Sequence, residues 1–357
     1  MTAAELPGTT RPFLLDLPPA QWLLPDDISY RRAQVEEWVF QKRASSFSDM
    51  SNLPLSWRTS LESRYILQPL TFARVQGSED STRKYLFRLH QDDFIESVLI
   101  PASPALYGER SDRYTLCLST QVGCAYGCKF CASGLDGWRR NLSPGEIVAQ
   151  IIEVERHSGK KINNLVFMGM GEPLANYTHL MAAINIINAP WGLNIGARHI
   201  TLSTSGLAPR IRELADQPLQ LRLALSLHGA TNEVREKIMP VNKKYPLEEV
   251  LDACAYYQQK KNKMITFEYI LIAGINDAPE QAEILARHAR RLHAKINLIP
   301  YNTVEGLDWS RPAMPVIKHF ASILRGHRIP ATVRLEKGHD IDAACGQLRL
   351  REIQAAS

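Results

Sequence analysis

The stretch Cys124-Ala-Tyr-Gly-Cys128-Lys-Phe-Cys131 holds three cysteines in eight residues, and no fourth metal ligand follows in the local sequence. A closed structural metal site normally takes four protein ligands, so this triplet reads as an iron–sulfur cluster with one iron left open to a small molecule. The competing reading is a zinc site completed by Cys117 or a distant histidine. Structural zinc sites usually pair two short cysteine or histidine clusters, and the sequence shows no second cluster.

Outward from the triplet, the chain alternates strand-like and helix-like segments after about Tyr114. Strand candidates are Thr115–Ser119, Asn164–Met168, His199–Ser203, Arg222–Leu227, Thr266–Leu271, Ile296–Ile299 and Ala331–Leu335. Helical patterns lie between them near Pro144–His157, Tyr177–Ile187, Leu207–Ala215, Leu247–Lys261, Ala278–Leu292 and Pro315–Gly326. Repeated βα units predict an α/β fold with a parallel sheet or barrel and helices outside. Polar and glycine-rich residues fall at the carboxyl ends of the strands: the cysteine loop, Gly169-Met-Gly-Glu172, Ser203-Thr-Ser-Gly206, Ser226-Leu-His228 and Pro300-Tyr-Asn302. In α/β barrels that rim is where active sites are built.

The front of the chain differs. The first 25 residues are proline-rich and read as an extended lead-in. From Ile28 to about Ile66 apolar stripes such as Val35, Trp38 and Val39 alternate with basic residues, which predicts helices. Thr71–Val75, Tyr85–Leu89 and Phe94–Ile100 read as short antiparallel strands.

At 357 residues the chain can bury a large core, and its 45% apolar and 22% charged residues are those of a soluble globular protein. No basic region followed by an apolar run opens it, and no stretch nears the roughly 20 apolar residues of a membrane span. A cytoplasmic location is expected, where six cysteines serve as ligands or reactive groups rather than disulfides. The net charge of +5 permits a polyanionic partner without demanding one.

The cysteine spacing, with an aromatic before the third cysteine, resembles the signature of radical S-adenosylmethionine (SAM) enzymes. The surrounding text is similar to the RlmN/Cfr family of rRNA adenine methyltransferases. The matching stretches are Cys117-Leu-Ser-Thr-Gln-Val-Gly-Cys124, Phe167-Met-Gly-Met-Gly-Glu-Pro-Leu174, Thr201-Leu-Ser-Thr-Ser-Gly206, Ser226-Leu-His228, Asn297-Leu-Ile-Pro-Tyr-Asn302 and Gly338-His-Asp-Ile-Asp-Ala-Ala-Cys-Gly-Gln-Leu348. The likeness runs from about Glu96 to Leu348 and is closer to RlmN. It implies a partial (β/α)6 TIM-like barrel at 114–357, an N-terminal helical accessory domain for RNA docking at 1–66, and a β-element with linker at 67–113.

By that resemblance, Cys124, Cys128 and Cys131 hold a 4Fe–4S cluster, and Phe130 shields it and lies against the adenine of SAM. Gly171, Glu172, Ser203, Ser226, Leu227, His228 and Asn302 contact SAM. Two SAM molecules serve each turnover, one as methyl donor and one as radical source. Cys345 carries the methyl group, Cys117 resolves the protein–RNA adduct through a transient disulfide, and Glu96 accepts the proton. The implied product is 2-methyladenosine in 23S rRNA, and also in tRNA. An electron donor such as flavodoxin or ferredoxin and a monomeric state come with it. The alternatives are methylation at C8 of the same adenosine, conferring antibiotic resistance, and a non-catalytic zinc-stabilised RNA-binding protein.

Each residue also has a plainer reading. Cys117 suits a buried strand, since cysteine behaves as a small hydrophobe, and Ser203 suits a helix cap. Cys254, inside the helical run Leu251-Asp-Ala-Cys-Ala-Tyr, reads as packing. Candidate RNA contacts are Arg139-Arg140, Lys160-Lys161, Lys243-Lys244, Lys260–Lys263, and Arg31, Arg32, Lys42 and Arg43 in the front helices, though a basic run is more often a solvated face.

Overall fold

The computed structural model describes residues 11–26, 28–102, 113–135, 137–304, 307–334, 338–344 and 346–348. Two helices open the chain, α1 (Ser29–Phe40) and α2 (Leu55–Arg64). A meander follows, β1 (Leu70–Gly77), β2 (Arg83–Leu89) and β3 (Phe94–Pro101), and β3 pairs antiparallel with β4 (Tyr114–Cys117). Strands β5 (Gln121–Gly123) and β6 (Trp138–Asn141) make a separate antiparallel ribbon around the cysteine loop and the short helix α3 (Ala132–Leu135).

The βα alternation then begins with α4 (Pro144–Ser158), β7 (Asn164–Phe167), α5 (Tyr177–Asn188), β8 (Ile200–Thr204), α6 (Ala208–Asp216) and β9 (Arg222–Ser226). It continues with α7 (Asn232–Ile238), α8 (Leu247–Lys261), β10 (Thr266–Leu271), α9 (Pro279–Arg291), β11 (Lys295–Pro300), α10 (Met314–Gly326) and β12 (Ala331–Val333). Ten strands form one sheet, β1-β2-β3-β4-β7-β8-β9-β10-β11-β12, and every pair from β4 onward is parallel. Parallel strands are covered on both faces, so they read as nearly continuous apolar runs. In β10 five of six residues are buried, and Glu268 is the polar exception.

Helix α4 shows how locally these elements are specified. Ser143 and Glu146 form a reciprocal capping box, Pro144 takes the first turn, and Gly159 ends the helix in the left-handed region at φ 65°. Asp16 Oδ1 accepts from the Gly145 amide at 2.7 Å, and a Cβ at Gly145 would sit 2.8 Å from that oxygen. The front segment is thereby packed onto the barrel helices. Phe40 meets Trp191 edge-on at 5.7 Å, and Arg43 pairs with Glu155 at 2.9 Å from Nε.

The segment expected as a separate β-element is hydrogen-bonded to the barrel sheet through β3 and β4, and buried residues from Leu14 to Leu348 share one core. No described helix is long and apolar enough to cross a membrane.

Candidate functional site

A cleft of about 900 Å³ opens at the carboxyl ends of the parallel strands. Cys124, Cys128 and Cys131 line one side of it together with Tyr126 and Phe130. The loop is pinned from three directions: Cys131 N–H donates to Cys128 O, Cys124 N–H to Gly137 O, and Lys129 N–H to Ile238 O at the end of α7. Gly123 allows this closure, because at φ 71° a Cβ would lie 1.8 Å from Gly137 O.

Burial pushes the Cys124 thiol up to about 12, with Cys131 and Glu172 adding repulsion. Burial also pushes Cys128 well up, again with the other two cysteines repelling its thiolate. Ionising Cys124 and Cys128 side by side therefore calls for a cationic partner in the loop, which an iron–sulfur core would supply. Among the described residues no three His, Cys, Asp or Glu stand close enough to hold a single metal ion. Three thiols lining one cleft, with no fourth protein ligand among the described residues beside them, are a donor set that would fit a multi-iron core with one iron left open.

Gly171, Glu172, Ser203, Ser226 and His228 line the same cleft. Glu172 is buried, and its oxygens accept from Leu174 N–H at 3.0 Å and Ser205 N–H at 2.7 Å. Burial raises its pKa, partly offset by those two amides. Ser203 does not cap a helix; its hydroxyl lies 3.3 Å from that of Ser226 on the adjacent strand. His228 Nδ1 accepts from Ile270 N–H at 3.1 Å, which leaves the proton on Nε2. Burial, and then the charge of Arg235, hold its pKa down to about 3, so the ring is neutral. Its ring meets the Phe130 ring edge-on at 4.7 Å. Leu227 and Asn302 are buried but do not line the cleft: Leu227 N–H donates to Glu268 O, and Asn302 Oδ1 accepts from Arg311 at 3.2 Å.

Cys117 ends β4, buried, opposite Val98 of β3. Glu96, two residues earlier on β3, is buried against Lys84 at 3.1 Å. Cys345 lies outside the described residues, but both its flanks are placed. On one side Ala132 N–H donates to Gly346 O at 2.8 Å and Ser133 Oγ to Leu348 O at 2.7 Å, against the cysteine loop. On the other, Lys84 Nζ reaches Asp342 O at 3.4 Å, and Asp80 accepts from Gly338 N–H at 3.1 Å.

Pattern reading missed several residues at this site. Glu268 and Arg334 line the cleft, and Glu268 accepts from Asn297 at 2.9 Å. A lone carboxylate inside an apolar strand run was the available signal. Lys84, in Arg83-Lys-Tyr-Leu-Phe, and Arg235, in Asn232-Glu-Val-Arg-Glu-Lys-Ile, look like solvated charges in sequence, yet both are buried.

The comparisons with known proteins converge on one family. A profile described as the radical SAM superfamily matches residues 118–285. The "Probable dual-specificity RNA methyltransferase RlmN" of Akkermansia muciniphila is 53% identical over 328 residues, covering 92% of this chain and 91% of the relative. This chain belongs to the RlmN family of radical SAM RNA methyltransferases. The similarly named protein of Bacillus subtilis is 44% identical over 338 residues, covering 94% of this chain and 91% of its own length. A solved radical SAM methyltransferase from Sphaerobacter thermophilus superposes with a TM-score of 0.89 at 42% identity, covering 95% of this chain and 99% of that one. Membership sets the non-catalytic zinc reading aside. It brings SAM and a 4Fe–4S cluster as cofactors, for which the cysteine loop is the matching donor set.

The structure corrects part of the basic-residue reading. Arg43 is committed to Glu155, and Arg140 is held bidentately by Glu146 at 2.8 Å through Nη1 and Nη2. Lys261 is buried, bonded to Gln217 O, so three of the candidate RNA contacts are structural. Arg139 pairs with Asp93 yet stays exposed on β6, beside exposed Trp138.

Proposed function

We propose that this enzyme methylates C2 of one adenosine in 23S rRNA, and of tRNA as well, through an S-methylcysteine at Cys345. The observation that carries the reading is the seating of the carrier segment. One flank of Cys345 is held on the cluster loop and the other on the Lys84–Glu96 pair. Relatives named as dual-specificity RNA methyltransferases support a second RNA target, which the proposal takes to be tRNA.

When bound, the cluster and SAM supply an electron and a carbon-centred radical able to take hydrogen from a methyl group. The chain's residues carry the rest. C2 of adenine is an electron-poor C–H carbon and no nucleophile, so the incoming carbon must be delivered already attached to sulfur. Cys345, as thiolate, takes that carbon from a first SAM by displacement, and a second SAM is used in the same turnover. Once hydrogen is taken from the S-methyl group, its carbon would bond to C2, the radical adduct would give up one electron, for which the bound cluster would be the acceptor, and Glu96 accepts the C2 proton of the adduct. Cys117 attacks the sulfur of Cys345 and breaks its bond to the bridging carbon, which takes up a proton to become the methyl group of the released base; the disulfide left behind is reduced to restore both thiols. The base reaches the cleft extruded from its stack. On this reading the enzyme works as a cytoplasmic monomer fed by a flavodoxin or ferredoxin.

Nucleoside analysis of rRNA and tRNA from cells with and without the gene tests it. Loss of 2-methyladenosine from both pools is expected. Loss of 8-methyladenosine instead would replace C2 by C8, and unchanged adenosines in both pools would overturn the proposal.

A further inference from the structure

Arg235 of α7 has no exposed surface. Its hydrogen bonds among the described residues all go to neutral oxygens: Nε to Leu227 O at 3.2 Å, Nη1 to Asn242 Oδ1 at 2.9 Å, and Nη2 to Ser205 O. No carboxylate forms an ion pair with it among the described residues. Glu172 reaches the same residue from its other side, its Oε2 accepting from the Ser205 N–H while Arg235 holds the Ser205 carbonyl. Nor can the guanidinium withdraw. Gly229 lies so close that a Cβ there would be 2.5 Å from the Arg235 backbone, and Gly206 faces Nη2, where a Cβ would lie 3.1 Å away.

Burial lowers the pKa of Arg235 to about 10, which leaves it charged at neutral pH. An ion held in such a place without a counter-charge is strongly disfavoured. Its hydrogen bonds place it behind the cleft: Ser205, whose carbonyl it holds, lines the same cleft as the three cysteines, and Leu227, whose carbonyl it also holds, precedes cleft-lining His228. Cys254 is buried in α8, and burial pushes its thiol up to about 12, so it stays neutral. Cys128 belongs to the cluster loop, whose neighbour Lys129 is hydrogen-bonded to the last residue of α7. The missing negative charge therefore lies in the direction of the cluster.

We propose that Arg235 is the built-in counter-ion of the iron–sulfur cluster, a positioning residue whose buried charge stabilises the one-electron-reduced state and raises its reduction potential. Three thiolates and the cluster core carry net negative charge, and reduction by a low-potential one-electron protein donor adds one more. No bond forms or breaks in that step. A fixed cation in a low-dielectric setting favours the more negative member of the couple, and salt screens it far less than it screens a surface charge. The same guanidinium joins the loops after β8 and β9 through Ser205 O and Leu227 O, so charge and hydrogen bonding must be separated by experiment. The inference rests on the cluster that the family carries and is independent of the C2 assignment.

The test is an EPR-monitored redox titration of the full-length, reconstituted protein without SAM or RNA, with iron content and thermal melts recorded for each variant. R235Q removes the charge, and R235K keeps it with fewer hydrogen bonds. For R235Q the reduced-to-oxidised ratio at the wild-type midpoint should fall at least tenfold, about 59 mV for a one-electron couple. R235K should stay within about twofold. A second variant, C254D, leaves Arg235 in place and sets a carboxylate beside it; it should lower the midpoint in the same direction, and it decides the question if R235Q does not fold. A folded, iron-loaded R235Q with the wild-type midpoint would overturn the proposal. So would a shift in R235K as large as in R235Q, or a folded C254D whose new carboxylate is ionised by infrared difference spectroscopy and leaves the midpoint unmoved.

Discussion

Lys84 and Arg235 are both buried cations, and they stand in regions of different character. Lys84 belongs to the antiparallel flank and has its own carboxylate, Glu96, at 3.1 Å, with both side chains under a tenth exposed. Arg235 belongs to the barrel rim and touches only neutral oxygens. The flank is electrically complete without any cofactor. The rim is not. A protein region that neutralises itself can be rigid before loading, whereas one that leaves a buried charge open is stabilised by the group that closes it.

The largest effect expected from breaking this contrast comes at the rim. Cys128→Ser should abolish the brown cluster chromophore and reduce methyladenosine formation to background, while far-UV circular dichroism keeps the wild-type signal. A variant that still loads about four irons per chain would contradict the assignment of Cys128 as a ligand.

The flank is tested next. Lys84→Met strands a buried carboxylate, so denaturant unfolding should show a loss of about 3–5 kcal/mol, the same with and without iron. Adding Glu96→Gln to that variant should recover most of it. No recovery in the double variant would mean that Lys84 acts through packing rather than charge.

His228 gives a pH-dependent handle on the rim. Its ordinary pKa of 6.5 is lowered to about 3 in the folded chain, so on acidification the unfolded state binds the proton first. Stability from this group is full above pH 6.5 and is lost as pH falls toward 3, with a slope of about 1.4 kcal/mol per pH unit. Unfolding of the cluster-free protein across that range should be less steep in pH for His228→Gln, and an unchanged slope would remove His228 from the account. The smallest effect belongs to Ser203→Ala, which deletes one long hydroxyl contact to Ser226. Thermal melts should move by about 0.5–1.5 kcal/mol, while SAM affinity measured by calorimetry falls more clearly.

Much of the barrel was legible in the sequence. The helix over Leu247–Lys261 has the expected bounds, and Cys254 packs inside it as read. These features are local, set by periodicity and caps. The rim residues were legible for a related reason: glycine, serine and acidic residues at strand ends stand out against apolar strands. Arg43 was not legible. It lies in a basic front segment, and its partner Glu155 is 112 positions away, so nothing nearby reveals that it is an internal ion pair. The ribbon of β5 and β6 escaped for want of length, since three or four residues carry no measurable period.

The sequence by itself determined the chemistry of the rim, because ligand type and spacing around Cys124, Cys128 and Cys131 are properties of neighbouring residues. It also determined the order of βα units, because hydrophobic period is a local quantity. Only the tertiary structure decided which charges are paired. Lys84 meets Glu96 across two strands, and Arg235 meets peptide oxygens from two separate loops. Coulomb energy depends on distance and burial, and neither can be read from a residue's place in the chain.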